Sequence, residues 1–259
     1  KKLFKARPGY KIVQCDLGTA EVYYAAMLSG DQFLQKAFID KLDFHSYVAK
    51  QMFNLSCEVN EVKKYYPNER QYAKAITFGI MYQAGPAKIA ETVNKDAKPG
   101  EEISTPQSKQ FIQKYFNEAR SLKKFIDASN QQIENHAFIY SFFGRKRRLP
   151  EAKSPNRGVA QHAIRSGVNF LVQSVASDIN VLGVIDLVKW IERKGYTDDI
   201  KPFTVVHDSI VSEVREDLID EYIENARKCI QTDRGLSIPG CPIKVDFEVG
   251  PSWGELTEL

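Results

Sequence analysis

The sequence predicts an α+β fold, with strand segments near both ends of the chain and helices between them. Two observations lead to this expectation. Segments of alternating or β-branched residues lie near both ends of the chain, at 10–15, 202–206, 210–214 and 243–249. Between them, apolar residues mostly recur at helical spacing, and 259 residues suffice for one large domain or two packed lobes.

Composition argues against several classes of protein. The net charge of +3 permits nucleic-acid binding but does not require it, so any such surface must come from local clusters. The four cysteines are scattered without a CxxC pair, which argues against a zinc site or a disulfide framework. We find no apolar run long enough to span a bilayer and no signal peptide, and we therefore expect a soluble intracellular protein without a membrane partner.

The first predicted strand carries a carboxylate at its C-terminal end. Residues 10–15 alternate polar and apolar side chains and lead directly to Asp16. Gly18 then breaks the strand, and Thr19 can cap a helix over residues 20–28. A carboxylate at a strand end is held rigidly and opens onto a cleft, although an aspartate beside a glycine is more commonly a turn residue.

A second feature is a helix with a notable residue at every fourth position: Arg70, Lys74, Phe78 and Tyr82. Four positions advance the helix by about 400°, so these side chains share one broad stripe. The two cations can hold phosphates, and the two aromatic faces can hold a base or sugar. The alternative is an ordinary amphipathic helix with a solvated basic end and a packed aromatic end.

This helix is expected at about 69–84, with Asn68 as its N-cap and Gly-Pro at 85–86 ending it. The polar residues 95–106 are expected to form a surface loop. Earlier in the chain, His45 lies in another helical segment. A lone histidine there is more often a packed or capping residue than a catalytic one.

The second half of the chain carries polar features on predicted helices and turns. The basic run 145–148 could contact phosphates, although such a short run is most often a solvated face or a sorting signal. A helical tract follows to about residue 193, either continuous or broken near 173–177. Within it, Arg165, Asn169 and Gln173 are spaced four apart, as on a helix face that could follow a duplex or simply be polar surface.

The last polar feature joins two β-branched segments, 202–206 and 210–214. Only His207, Asp208 and Ser209 lie between them. A tight connection of this kind predicts a hairpin that presents Asp208 at its apex.

Three of these stretches together resemble the motifs of family A DNA polymerases, the DNA polymerase I group. Arg70-x3-Lys74-x3-Phe78-Gly79-x2-Tyr82 resembles the fingers-helix motif. Asp-Leu-Gly-Thr-Ala-Glu at 16–21 resembles the first palm motif, and Val-His-Asp-Ser at 206–209 resembles the last. The three occur in the family's order with fitting spacing, which makes the set far more specific than any one motif.

The resemblance implies a palm at 1–44 and 141–259, built as an antiparallel sheet with packed helices, and an inserted helical fingers subdomain at 45–140. It also implies that the family's thumb and any exonuclease domain are absent from this chain. We therefore expect that portion either in the same longer polypeptide or in a separate chain.

By this resemblance, Asp16 and Asp208, with the backbone carbonyl of Leu17, hold two Mg²⁺ ions, for which Mn²⁺ can substitute. Lys74 acts as a catalytic residue that offsets phosphate charge and protonates the leaving group, and Arg70 clamps the terminal phosphate.

The resemblance implies two further sets of contacts. Phe78 and Tyr82 form the walls for base and sugar, Glu21 blocks a 2′-hydroxyl, and His45 is a candidate substrate contact. The candidate DNA-binding residues are Arg145, Arg165, Asn169, Gln173 and His207.

The chain also departs from the family pattern. Gly18-Thr19-Ala20 replaces the common Ser-Gln-Ile, and Thr77 stands where cellular relatives often have asparagine. Ser209 follows the final motif aspartate where many members carry a glutamate, and loss of that third carboxylate is expected to weaken metal affinity without abolishing chemistry. These traits favour a phage-like or otherwise divergent member.

The resemblance therefore predicts template-directed DNA synthesis from dNTPs on primer-template DNA. The expected location is the cytoplasm of a bacterial or phage-infected cell, with an organelle as the alternative. Two other functions stay open: a non-catalytic, polymerase-like DNA-binding subunit, which would have no use for the two aspartates, and a metal-dependent nuclease, which would not explain the stripe from Arg70 to Tyr82.

Overall fold

The structure is a computed structural model and describes residues 1–95, 97 and 100–259. The described residues form seven β-strands and ten α-helices, numbered here in chain order. The strands are β1 (Tyr10–Gly18), β2 (Phe138–Tyr140), β3 (Lys146–Arg148), β4 (Ile200–Val206), β5 (Ser209–Arg215), β6 (Lys244–Ser252) and β7 (Glu255–Glu258). The helices are α1 (Ala20–Ser29), α2 (Gln32–Ile39), α3 (Phe44–Phe53), α4 (Val59–Tyr65), α5 (Pro67–Met81), α6 (Pro86–Asn94), α7 (Thr105–Glu118), α8 (Arg120–His136), α9 (Arg157–Lys194) and α10 (Ile219–Gln231).

The chain divides into two compact units. The sheet unit consists of residues 1–20 and 173–259, and the helical unit consists of residues 21–172. The predicted α+β fold, with an antiparallel sheet built from both ends of the chain, is confirmed. The unit limits differ from the predicted palm and fingers limits at residues 44 and 140, and those subdomain limits stay a prediction.

The sheet unit contains five antiparallel strands in the order β4-β5-β1-β6-β7. The earliest strand in the chain is thus at the centre, between two strands from the C-terminal part. Strand β1 continues to Gly18, three residues beyond the predicted end, so Asp16 lies within the paired strand. Its backbone is therefore fixed by ladders on both sides.

Helix α10 covers one face of this sheet. Val13, Cys15 and Leu17 alternate along β1 and are buried. Ser212, which pairs with Val13, shares a hydrogen bond of 2.7 Å with the hydroxyl of Tyr222 on α10. The intervening residues of β1, including Asp16, therefore project from the opposite face of the sheet.

In the helical unit, α5 begins at Pro67, which occupies the first helical turn, with Tyr66 as the N-cap residue. The predicted cap at Asn68 was therefore wrong, because Asn68 lies inside the helix. The helix ends at Met81 with Tyr82 as its C-cap, earlier than predicted, and α6 starts at Pro86.

Gly79 allows α6 to approach α5. A Cβ atom at Gly79 would lie 2.5 Å from Cγ1 of Ile89, closer than van der Waals contact permits. Ile89 is buried. The missing side chain at Gly79 thus allows close packing between the two helices.

The structure bears on two other expectations. Helix α9 is continuous over 38 residues, without a break near 173–177. Within the described part of the chain, α9 is also long and apolar enough to cross a bilayer, by length and composition alone, and half of its most apolar stretch is buried. In the predicted loop 95–106, α7 already begins at Thr105, and residues 96, 98 and 99 lie outside the described residues.

Candidate active site

An acidic face is built on the three central strands of the sheet unit. In the strand register, Asp16 on β1 lies directly opposite Ser209 on β5 and Asp246 on β6. Directly opposed residues project from the same face, with Cα atoms roughly 4.5–5.5 Å apart. The Ser209 hydroxyl donates a hydrogen bond of 2.5 Å to Oδ1 of Asp16. The Asp16 carboxylate is therefore fixed from the β5 side.

Asp208 lies in the tight turn between β4 and β5, next to Ser209. The predicted hairpin is confirmed, and its first turn residue, His207, has a positive φ of 57°. Such a backbone angle is uncommon outside glycine and is often found at functional sites. Because Ser209 pairs with Asp16, the turn brings Asp208 to within one residue of Asp16's direct partner.

The remaining neighbours of Asp16 complete the acidic face. Asp246 Oδ1 forms an ion pair of 2.7 Å with Nζ of Lys244, and its Oδ2 lies 3.0 Å from where Gly18 would carry a Cβ. Leu17 continues β1 beyond its pairing with β5, and its side chain is buried. Gly18 thus leaves room for the Asp246 carboxylate.

These donors suit a hard cation such as Mg²⁺, which takes oxygen ligands and commonly binds through one or two carboxylates, with substrate phosphates and water completing the shell. Among the described residues, no three histidine, cysteine or acidic side chains are grouped closely enough to enclose a metal without such additions. The carboxylates of Asp16 and Asp208 and the Leu17 carbonyl are oxygen donors of the kind that such an ion takes; their role as its ligands stays a prediction.

The helical unit contains the stripe along α5, and it is open to solvent. Lys74 and Tyr82 are exposed, and Arg70 and Phe78 are half-buried. The side chains that α5 buries are Ala73, Ile76, Thr77, Ile80 and Met81. Arg70 at the basic end is half-buried and Tyr82 at the aromatic end is exposed, so the stripe differs from a solvated basic end with a packed aromatic end. Its contact with a nucleotide stays a prediction.

Arg70 is held by a carboxylate from another helix. Its Nε and Nη2 donate to the two oxygens of Asp43 at 2.8 and 2.9 Å, in a bidentate pair. Asp43 is also the N-cap of α3, accepting a hydrogen bond from the backbone N–H of Ser46. Burial alone would raise the pKa of Asp43, but the hydrogen bonds from Arg70 and Ser46 outweigh it and hold that pKa well below its usual range.

His45 lies between this ion pair and the aromatic part of the stripe. Its ring centroid is 5.8 Å from that of Phe78. Burial lowers the pKa of His45 to about 4; Asp43 opposes this effect, and Arg70 and Lys74 add to it. The imidazole is therefore neutral near pH 7, where it can exchange hydrogen bonds but carries no charge.

The far end of the stripe is tied to the start of α1. The Tyr82 hydroxyl donates a hydrogen bond of 2.7 Å to Oε1 of Glu21. The predicted sugar gate and the predicted aromatic wall thus form one hydrogen-bonded unit. Their roles toward a nucleotide stay predictions.

The predicted DNA-binding residues lie in three places. Arg165, Asn169 and Gln173 are on α9, at least partly accessible, and His207 is exposed in the β4–β5 turn. Arg145 is exposed between β2 and β3, with its guanidinium 5.9 Å from the ring of Phe170.

The basic run is not simply a solvated face. Nη2 of Arg147 donates a hydrogen bond of 2.7 Å to the Ser166 hydroxyl of α9, and its guanidinium lies 5.4 Å from the Phe170 ring. The run is therefore fastened to α9 by one of its arginines.

Sequence reasoning missed Asp43 and Asp246 and did not foresee the hydrogen bond from Ser209. Asp43 had a local signal, because an aspartate before a helical segment is a preferred N-cap, but nothing local indicated its pairing with Arg70. Asp246 lies in a predicted strand, and only the strand order shows that it faces Asp16.

The chain is similar to known DNA polymerases along nearly its whole length. The model of the family "DNA polymerase family A" matches residues 1–255. The DNA polymerase of Escherichia phage T5 is 50% identical over 258 residues, and DNA polymerase I of Pseudomonas aeruginosa is 28% identical over 255 residues. The matches cover 94% and 98% of this chain, but only 30% and 26% of those two proteins.

A solved structure has the same fold. The POL domain of Pol1 from M. smegmatis, in complex with DNA primer-template and dNTP, superposes with a TM-score of 0.84 at 26% identity. The match covers 97% of this chain and 41% of that chain. With a family model that matches nearly its whole length, this chain belongs to DNA polymerase family A.

Proposed function

We propose that this chain is the catalytic palm and fingers portion of a DNA polymerase, which transfers nucleotides from dNTPs to a primer 3′-hydroxyl. The observation that carries the proposal is the pairing of β1 with β5, which brings Asp208 to within one residue of the direct partner of Asp16. Membership of the family and the stripe on α5 support it independently. The phage and bacterial origin of the relatives supports action in the cytoplasm of a bacterial or phage-infected cell.

In this proposal Asp16 and Asp208 hold divalent ions together with the carbonyl of Leu17. Two Mg²⁺ ions, or Mn²⁺ in their place, supply Lewis-acid activation of the primer hydroxyl and charge neutralisation on the phosphates. The protein contributes rigidity, because Asp16 lies on a strand paired on both sides and Asp208 lies in a two-residue turn. Preorganised carboxylates need little rearrangement during the reaction.

Lys74 and Arg70 handle the triphosphate. Lys74 is exposed, so its ammonium can meet the phosphates, offset charge that grows as pyrophosphate departs and donate the proton that the leaving group needs. Arg70 uses Nε and Nη2 in its bidentate pair with Asp43, and we assign its Nη1 to the terminal phosphate. His45, neutral and beside Phe78, contributes a hydrogen bond to the substrate and no charge.

Glu21 and Tyr82 select deoxyribonucleotides. The carboxylate of Glu21 is held by the Tyr82 hydroxyl, so it cannot move aside freely for a 2′-hydroxyl. Phe78 and the Tyr82 ring supply apolar walls for the base and sugar. The amides of Asn169 and Gln173 read minor-groove acceptors common to all base pairs, His207 contacts the primer-template, and Arg145 and Arg165 bind backbone phosphates.

The test is primer extension with labelled dNTPs, with and without Mg²⁺. The protein is used in excess over primer-template so that weak DNA binding does not limit the signal. Asp16→Asn and Asp208→Asn are expected to abolish extension while DNA binding changes only a few fold. Asp198→Asn is the matched control, because Asp198 has an almost fully exposed side chain in the same unit.

Other outcomes identify other functions. Binding of primer-template by the wild-type chain without Mg²⁺-dependent extension would indicate a DNA-binding subunit. Shortening of the labelled strand that depends on Asp16 and Asp208 would indicate a nuclease. Extension that survives both asparagine substitutions would refute the proposal.

A further inference from the structure

We propose that Ser209 is a positioning residue, whose hydroxyl orients the Asp16 carboxylate for metal binding. The inference rests on the proposed function only in taking Asp16 as a metal ligand. It concerns a residue by which this chain departs from the family pattern.

The hydrogen bond between Ser209 and Asp16 has the geometry that this role needs. Ser209 is the direct cross-strand partner of Asp16, and its Oγ donates to Oδ1 of Asp16 at 2.5 Å. This distance is at the short end for a hydroxyl donating to a carboxylate, where hydrogen bonds are about twice as strong as neutral ones. The bond selects one orientation of the carboxylate and leaves Oδ2 and a second lone pair of Oδ1 for a cation.

Negative charges on neighbouring residues make a hydrogen-bond donor beside Asp16 useful. Asp246 faces Asp16 from β6, and Asp208 lies beside Ser209 in the turn. Like charges on one face repel each other, so the Asp16 carboxylate would tend to rotate away from the position a cation needs. Lys244 neutralises Asp246 at 2.7 Å, and the Ser209 hydroxyl is a donor that restrains Asp16 directly. A glutamate at 209 would add another negative charge, whereas serine adds a donor.

Strand β5 holds the backbone of Ser209 in place. Ser209 is the first residue of β5, and the next residues, Ile210 and Val211, are fully buried. The backbone that carries the hydroxyl is therefore anchored, and the hydrogen bond needs little additional ordering. Groups that orient metal ligands in this way typically change metal affinity or activity by about 10–100-fold when removed.

The test compares Mn²⁺ binding to the 259-residue chain, measured as loss of the free-ion signal in electron paramagnetic resonance. Ser209→Ala removes the hydroxyl, and Ser209→Thr keeps it. Ser212→Ala is the matched control, because it removes a serine hydroxyl from the same strand that is hydrogen-bonded to Tyr222 on the helix-covered face. Asp16→Asn marks the signal that belongs to the site, and thermal unfolding of each variant reports its folding.

We expect Ser209→Ala to weaken the Asp16-dependent Mn²⁺ binding about 10–100-fold. Ser209→Thr should restore binding to within about 3-fold, and Ser212→Ala should bind as the wild type does. Unchanged binding in Ser209→Ala, equal loss in Ser209→Thr or Ser212→Ala, or no Asp16-dependent binding in the wild type would each overturn the proposal. A wild-type chain that binds Mn²⁺ in a Ser209-dependent way but extends no primer would instead refute the proposed polymerase function and leave this inference intact.

Discussion

The buried His45 should make the stability of the helical unit depend on pH. Its pKa is lowered from 6.5 to about 4, chiefly by burial. Below pH 6.5 the unfolded chain binds a proton at His45, whereas the folded chain does not bind it until the pH approaches 4. The folded state therefore loses stability as the pH falls from about 6.5 to about 4, and this residue has no effect on stability above pH 7. Since one pKa unit corresponds to about 1.4 kcal/mol, the shift from 6.5 to about 4 corresponds to a loss of at most about 3–4 kcal/mol.

The assay is urea unfolding at pH 7.5 and pH 4.5 for the wild type and His45→Gln, which keeps a polar side chain without a titrating group. The wild type should lose about 2–3 kcal/mol more than the variant between the two pH values. His162→Gln is the control, since it removes an exposed imidazole from α9 and should keep the wild-type pH dependence. In parallel, the imidazole Cε1–H signal of His45 gives its pKa by NMR. A midpoint near 6.5, or equal pH dependence in wild type and His45→Gln, would refute this reasoning.

Three further predictions concern α5 and its neighbours. Gly79→Ala should destabilise the protein by about 1–3 kcal/mol, because the added methyl overlaps Ile89. Ile89→Ala in the same chain should relieve part of that clash, and additive losses of the two substitutions in urea unfolding would contradict the prediction. Glu21→Ala should admit ribonucleotides in primer extension, and Tyr82→Phe should do so partly by releasing the Glu21 carboxylate; an unchanged preference for dNTPs in both would place the gate elsewhere. Lys74→Ala should lower the single-turnover rate about 10²–10³-fold, and an unaltered rate would show that the Lys74 charge does not act in the reaction. Phe78→Tyr should keep the rate and relax discrimination against nucleotides that lack a 3′-hydroxyl.

Local patterns in the sequence were enough to predict the elements that carry the site. Alternation along β1, the helical spacing of Arg70 to Tyr82, and the β-branched segments around Asp208 depend only on residues near one another in the chain. The neighbouring positions of Asp16 and Asp208 followed only from the family resemblance, because periodicity does not specify which strands pair.

The contacts that fix the site were not predictable for the same reason. The pair between Arg70 and Asp43 depends on how α3 packs against α5, and Asp246 faces Asp16 only because β6 is the neighbour of β1. The ends of α5 were wrong by a few residues because Pro67 starts a helix more readily than Asn68 caps it. Of the two alternatives left open for α9, the structure has the continuous helix of 38 residues.

The position of β1 at the centre of the sheet has a consequence for synthesis on the ribosome. Asp16 and its partner Ser209 are 193 residues apart in the chain, so β1 is made early and its neighbours β5 and β6 are made late. The helical unit, residues 21–172, is complete before either neighbour exists, and its local contacts can form quickly. Until then both edges of β1 lack their strands, and such edges are prone to pair with other chains. The acidic face therefore forms only when the C-terminal strands arrive, and a nascent chain that stalls before residue 209 cannot assemble it.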